Sequence, residues 1–112
     1  MSTYQPVYIE FPTFDPSVNA CGASVQVCNL WCARLQVVVS GLNGNPLLTL
    51  EASIDGVNWS TYDECPPNIP LQNGVNVFRV NKTDALYFRI CIDPAGNTTG
   101  TNESNRALLK KD

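Results

Sequence analysis

Between Leu48 and Tyr62 the chain reads LTLEASIDGVNWSTY, and no other stretch narrows the possible folds as much. Leu48, Leu50, Ala52 and Ile54 alternate with Thr49, Glu51 and Ser53. A period of two marks a strand with one apolar and one wet face. Asp55-Gly56 ends the run, and such a pair favours a two-residue type I′ hairpin, because both central residues need positive φ. That turn would set Ile54 opposite Val57, Ser53 opposite Asn58 and Ala52 opposite Trp59. Trp59 is then expected over Ala52 on the buried face, the two acting as core anchors.

The rest of the chain repeats the strand-and-turn grammar. Leu35, Val37 and Val39 alternate with Arg34, Gln36 and Ser40, with β-branched residues enriched as a strand prefers. Val75 to Val80 follows an Asn73-Gly74 turn, and Leu86, Phe88, Ile90 and Ile92 form the best-marked core strand after the first, with Phe88 and Ile90 as further anchors. Ala23 to Cys28 alternates like a strand. Asp93 to Asn97 is a turn, and the polar run Thr101 to Asn105, with Arg106 to Lys111 behind it, reads as a last edge strand or a tail. Tyr4, Tyr8, Phe11 and Phe14 are interleaved with Pro6, Pro12 and Pro16, a proline density that forbids a helix or a central strand. Residues 1–16 are therefore expected as an extended arm or edge strand and residues 17–112 as the domain body. The arm's aromatics need cover, from the chain's own sandwich or from a neighbouring subunit. About seven strand candidates with turn signals roughly every 8–12 residues argue for an all-β protein, an antiparallel β-sandwich of jelly-roll type.

Two segments resemble a known kind of module. Ser53-Ile54-Asp55-Gly56-Val57-Asn58-Trp59 is similar to the S-x-D-G-x-x-W hairpin of small β-sandwich modules of bacteriophage structural proteins and, more loosely, of discoidin-like domains. Ala85 to Gly96, followed by Thr99-Gly100-Thr101, resembles the segment that closes those modules. The resemblance spans about Leu35 to Thr101. It implies a virion structural protein, of the kind that decorates or stabilises a capsid or sits on the head, and that is made in a host cytoplasm. Thr101 to Asn105 departs from the apolar closing strand of those modules.

Composition removes several alternatives. One hundred and twelve residues suffice for one core. A net charge of −3 with only seven basic residues makes nucleic acid and anionic membrane poor partners. The sequence contains no histidine, which removes the commonest general base and metal ligand. Residues 1–20 show no basic region leading an apolar core, so no secretory signal is expected, and the N-x-S/T sequons at Asn58, Asn81, Asn97 and Asn102 read as products of composition. The five cysteines, Cys21, Cys28, Cys32, Cys65 and Cys91, form no C-x-x-C pair. They are expected as small buried hydrophobes rather than zinc ligands, with Cys28 or Cys32 paired to Cys91 if a disulfide forms. Asp63-Glu64 and the turn residues Asp55, Asp84 and Asp93 lack the cleft of a glycosidase and the dense pattern of a calcium loop. No cofactor, metal or catalytic residue is expected, and an enzyme is the least favoured class.

Two binding roles remain. In the first, favoured by the resemblance, the protein holds the major capsid protein or other virion proteins and neighbouring copies of itself, as a homo-oligomer. Its contacts would be Tyr4, Tyr8, Phe11 and Phe14 of the arm and Cys65, Pro66, Pro67 and Pro70 of a proline-stiffened loop. In the second, it is a carbohydrate-binding or adhesion module. Trp31, Trp59 and Tyr62 are the candidates to stack on sugar rings, although the hairpin register buries Trp59.

Overall fold

A computed structural model describes residues 7–26, 31–61, 67–79 and 86–110. Among the described residues ten strands run in chain order: β1 (Val7–Glu10), β2 (Ala20–Cys21), β3 (Val25–Gln26), β4 (Trp31–Asn43), β5 (Leu47–Ser53), β6 (Ser60–Thr61), β7 (Ile69–Pro70), β8 (Gly74–Arg79), β9 (Tyr87–Asp93) and β10 (Thr99–Lys110). They form two antiparallel sheets, ordered β1-β10-β4-β8 and β2-β9-β5-β6. β3 shares the β9 edge with β2, and β7 shares the β5 edge with β6. Counting each of these pairs as one interrupted strand leaves eight, and their order is that of a jelly roll. The all-β sandwich read from the alternation is the observed architecture. The strand count exceeds the expected seven because two strand positions are each filled by a pair of short segments.

The core lies between the sheets. Leu35, Val37, Val39 and Ala107 point inward from the four-stranded sheet, and Leu48, Leu50, Ala52, Phe88, Ile90 and Ile92 from the other, with Phe11 and Leu71 closing the ends. Each set follows the period of two that a half-buried strand requires. Leu48 and Leu50 are fully enclosed, 0 % and 2 % exposed, so truncating either to alanine would cost about 2–5 kcal/mol.

Three local expectations fail for physical reasons. The loop after β5 is longer than two residues, since Ala52 pairs with Ser60 and Glu51 with Thr61. Gly56 has φ +76°, whereas Asp55 is absent from the positive-φ residues, so no type I′ turn forms. Side-chain bonding shapes the loop instead. The Asp55 carboxylate accepts the Val57 and Asn58 backbone N–H groups, both at 2.9 Å, and Ser53 Oγ accepts the Gly56 N–H at 2.8 Å. The register moves by one, which carries Trp59 away from Ala52 and out of the core, while Ala52, Phe88 and Ile90 remain inside. Ile54 and Val57, which the shorter turn paired, are 73 % and 77 % exposed.

The second failure concerns the end of the chain. β10 is an interior strand, paired on one side with β1 and on the other with β4. Its polar run fits there because a bulge places Asn102 opposite Val39 and Ser104 opposite Val38, leaving Glu103 as the extra residue. Asn102 and Asn105 therefore share the inner face, 6 % and 1 % exposed. Their amides pair reciprocally: Asn105 Nδ2 donates to Asn102 Oδ1 at 2.7 Å and Asn102 Nδ2 donates to Asn105 Oδ1 at 2.9 Å. The remaining valences hold the N-terminal segment. Asn105 Nδ2 donates to the Pro12 carbonyl and the Phe14 N–H donates to Asn102 Oδ1.

For that segment the chain's own sandwich supplies the cover. Phe11 is core, 5 % exposed, and Phe14 is half-buried against it, so both are consumed by the chain's own sandwich. Tyr8 is left on the surface. The third case is the disulfide, which joins Cys21 to Cys91 rather than Cys28 or Cys32 to Cys91. Cys21 and Cys91 are directly opposed on β2 and β9, where side chains meet.

Candidate functional site

The register of the four-stranded sheet determines what its outer face displays. Inward residues Leu35, Val37 and Val39 on β4 send Arg34, Gln36 and Val38 outward. Reading across from β1 to β8, one row is Tyr8, Leu108, Arg34 and Arg79, and the next is Glu10, Arg106, Gln36 and Val77. These two rows border a groove of about 320 Å³ lined by Tyr8, Arg34, Gln36, Val77, Arg106 and Leu108.

The groove combines two kinds of surface. Tyr8 is 59 % exposed and Val77 53 %, apolar surface contributed to one groove from the two edge strands of the sheet. Arg34, Gln36 and Arg106 supply planar hydrogen-bonding groups beside them, with guanidinium groups that can only donate and an amide that can do both. Arg106 is tied to Glu10, Nη2 to Oε1 at 3.2 Å, in a pair open to solvent on both sides. Such a rim pair contributes little to stability and is readily exchanged for another partner. Tyr8 owes its position to what lies behind it. β1 pairs with β10 from Val7 to Glu10, and the Phe11 N–H donates to the Asn105 carbonyl at 3.0 Å just before the Asn102–Asn105 pair takes hold of the chain.

A second groove, about 500 Å³, separates the Pro67–Pro70 segment from Val77, Phe78 and Arg79. Of the expected loop contacts, Pro67 and Pro70 line it, and Asn68, at φ +55°, turns the chain there. Tyr4, Cys65 and Pro66 fall outside the described residues, as does Tyr62, and only the backbone is described at Trp31.

The outer face of the other sheet is built differently. Trp59 is half-buried with the Arg89 guanidinium 4.4 Å from its ring centroid. Arg89 in turn is bound to Glu51 at 2.6 Å, with both side chains largely covered. One face of the Trp59 ring is thus occupied by a cation that Glu51 holds in place. Cys21, Cys91 and Glu51 also converge here, but the two sulfurs are bonded to each other and offer no thiolate. At the hairpin, accepted hydrogen bonds from Asn58, Val57 and Ser53 hold the Asp55 carboxyl well below its usual range, as those turn contacts require of a carboxylate.

Sequence reasoning had Tyr8 as a contact residue and missed Arg34, Gln36, Val77 and Arg106. Their outward positions on neighbouring strands were readable, but not which strands are neighbours, because β10 inserts between β1 and β4.

No protein-family model matches the chain. No curated protein matches it either. Among solved structures, it is similar to a crystal structure of a mutant of chitosan-binding module 1, derived from a chitosanase/glucanase of Paenibacillus sp. IK-5. The TM-score is 0.48 at 12 % identity, over 86 % of this chain and 78 % of that one. Overlap of this degree does not carry a ligand from one protein to the other.

Proposed function

We propose that the protein is a β-sandwich binding module that holds a saccharide on the outer face of its four-stranded sheet. The observation that carries this reading is the exposed Tyr8 ring beside Gln36, Arg34 and Arg106 in a groove of about 320 Å³. Saccharides present apolar C–H faces and a rim of hydroxyls. An aromatic ring covers the first, and planar amide and guanidinium groups at fixed spacing satisfy the second. Strands position these groups more rigidly than loops do, which lowers the entropic cost of capture. Binding is the activity this reading assigns to the groove, whose described lining residues carry no carboxylate.

The virion-assembly reading, favoured by the resemblance, placed its contacts on the arm and the proline loop. Phe11 and Phe14 serve the internal core, which leaves that reading with fewer side chains to spend on a partner.

The experiment is a panel of soluble polysaccharides screened by affinity electrophoresis, with Tyr8→Ala and Trp59→Ala run beside the parent protein. At least one polysaccharide should retard the parent, and Tyr8→Ala should remove most of the retardation while Trp59→Ala retains it. Binding that survives Tyr8→Ala unchanged would overturn the assignment.

A further inference from the structure

The second groove is built from the same two kinds of surface as the first, and it meets the first at Val77. Alternation along β8 turns Val75, Val77 and Arg79 to the outer face, all exposed, and Asn76 and Phe78 inward. Val77 and Arg79 both line the second groove, which therefore opens onto the outer face past β8. Phe78 and Ile69, half-buried against the core, give it an apolar floor that Pro67 and Pro70 extend. The Asn68 amide and the Arg79 guanidinium add planar polar groups. The proline segment is fixed from below. Ile69 and Pro70 pair with Leu48 and Leu47 of β5, the Asn68 N–H donates to Thr49 Oγ1 at 3.0 Å, and the Leu71 N–H donates to the Pro46 carbonyl at 3.0 Å. A backbone held in this way, with proline rings on it, lowers the ordering cost of binding there.

Resting on the saccharide reading above, we infer that the two grooves are one path and that the ligand is a polysaccharide bound along its length, with one unit on Tyr8 and a later unit between the Pro67–Pro70 segment and Arg79. Neighbouring strands are about 4.8 Å apart, so the three steps from β1 to β8 already span about 14 Å, and the second groove lies beyond them. No single sugar ring bridges that distance. Val77, 53 % exposed, is the apolar surface on which the chain passes from one groove to the other. Two modest subsites on one rigid body act together on linked units, because the second contact forms at high effective concentration once the first is made. A chain long enough to reach both therefore gains affinity with no tighter contact at Tyr8. The loop that its prolines marked as a contact element thereby enters the same site as the aromatic of β1.

The test measures affinity against chain length, by isothermal titration with a disaccharide and a hexasaccharide cut from the polysaccharide that the panel retains. The hexasaccharide should bind at least about tenfold more tightly. Combining Asn68→Gly, which tolerates the positive φ at that position, with Arg79→Ala should remove most of that margin. The same double variant should keep the parent's affinity for the disaccharide, which also shows that it is folded. Tyr8→Ala should weaken both ligands. Equal affinity for the two lengths, or a double variant that keeps the full margin, overturns the two-groove path and leaves the Tyr8 groove standing. A panel that retains nothing overturns the saccharide reading itself, and the path with it.

Discussion

Replacing Asn105 with alanine removes the link between the closing strand and the segment that presents Tyr8. Three side-chain hydrogen bonds disappear: the two reciprocal amide bonds with Asn102 and the bond to the Pro12 carbonyl. Asn102 keeps the Val38 carbonyl and the Phe14 N–H, so it is not orphaned. At about 1 kcal/mol net for each lost bond, with a further penalty for the buried amide valences left unmet, the expected cost is about 2–4 kcal/mol. For a domain of this size that lowers the melting temperature by on the order of 10 °C. Urea unfolding should show an earlier midpoint at an unchanged slope. The Asn102→Ala and Asn105→Ala effects should also fail to add, with a coupling of about 0.5–3 kcal/mol, because each substitution already breaks the shared pair. Native-state hydrogen exchange should speed up at Ile9 and Phe11 before it does at Leu48 and Leu50. A stability loss below about 0.5 kcal/mol, or strict additivity, would refute the view that this buried pair clamps the N-terminal segment.

Further outcomes follow from the same geometry. Trp59→Ala should cost less than about 2 kcal/mol and Phe88→Ala about 3–5 kcal/mol, because only Phe88 sits in the core; equal losses in chemical denaturation would restore Trp59 to the interior. Reducing the Cys21–Cys91 bond opens a loop with a sequence separation of 70, for which the chain-entropy estimate is about 4 kcal/mol; a melting temperature indifferent to reductant would contradict the pairing. Asp55 is lowered below its unfolded value, so its contribution is present above about pH 4 and lost as the pH falls through the folded value. Asp55→Asn should therefore flatten the acid limb of the stability profile, and an unaltered limb in circular dichroism would count against the loop's carboxylate anchor.

The alternation of β4, β5 and β9 made the sandwich legible, since each buries one face and strict period two has no other use. Legibility stopped where side chains compete with backbone rules. Ser53 and Asp55 bond to the loop backbone and override the Asp-Gly turn preference, and that one-residue shift decides the fate of Trp59. The polarity of Thr101 to Asn105 argued for an edge because a buried amide is costly alone. Two amides that satisfy each other remove that cost, and a bulge that brings residues three apart onto one face leaves no periodic trace. The cysteine pairing depended on which strand flanks β9, and β2 is only two residues long. Tyr8 could be singled out as an aromatic needing cover, but its companions in the groove come from strands distant in sequence. Only the order β1-β10-β4-β8 brings them together.

The most direct measurement of the central claim is a map of backbone and side-chain NMR shifts as a retained oligosaccharide is titrated into labelled protein. The account expects the largest changes at the Tyr8 ring, the Gln36 side-chain amide and the guanidinium groups of Arg34 and Arg106, all on the four-stranded sheet, with Trp59 and Arg89 still. Changes centred on Trp59, Arg89 and Glu51, with Tyr8 unmoved, would contradict it.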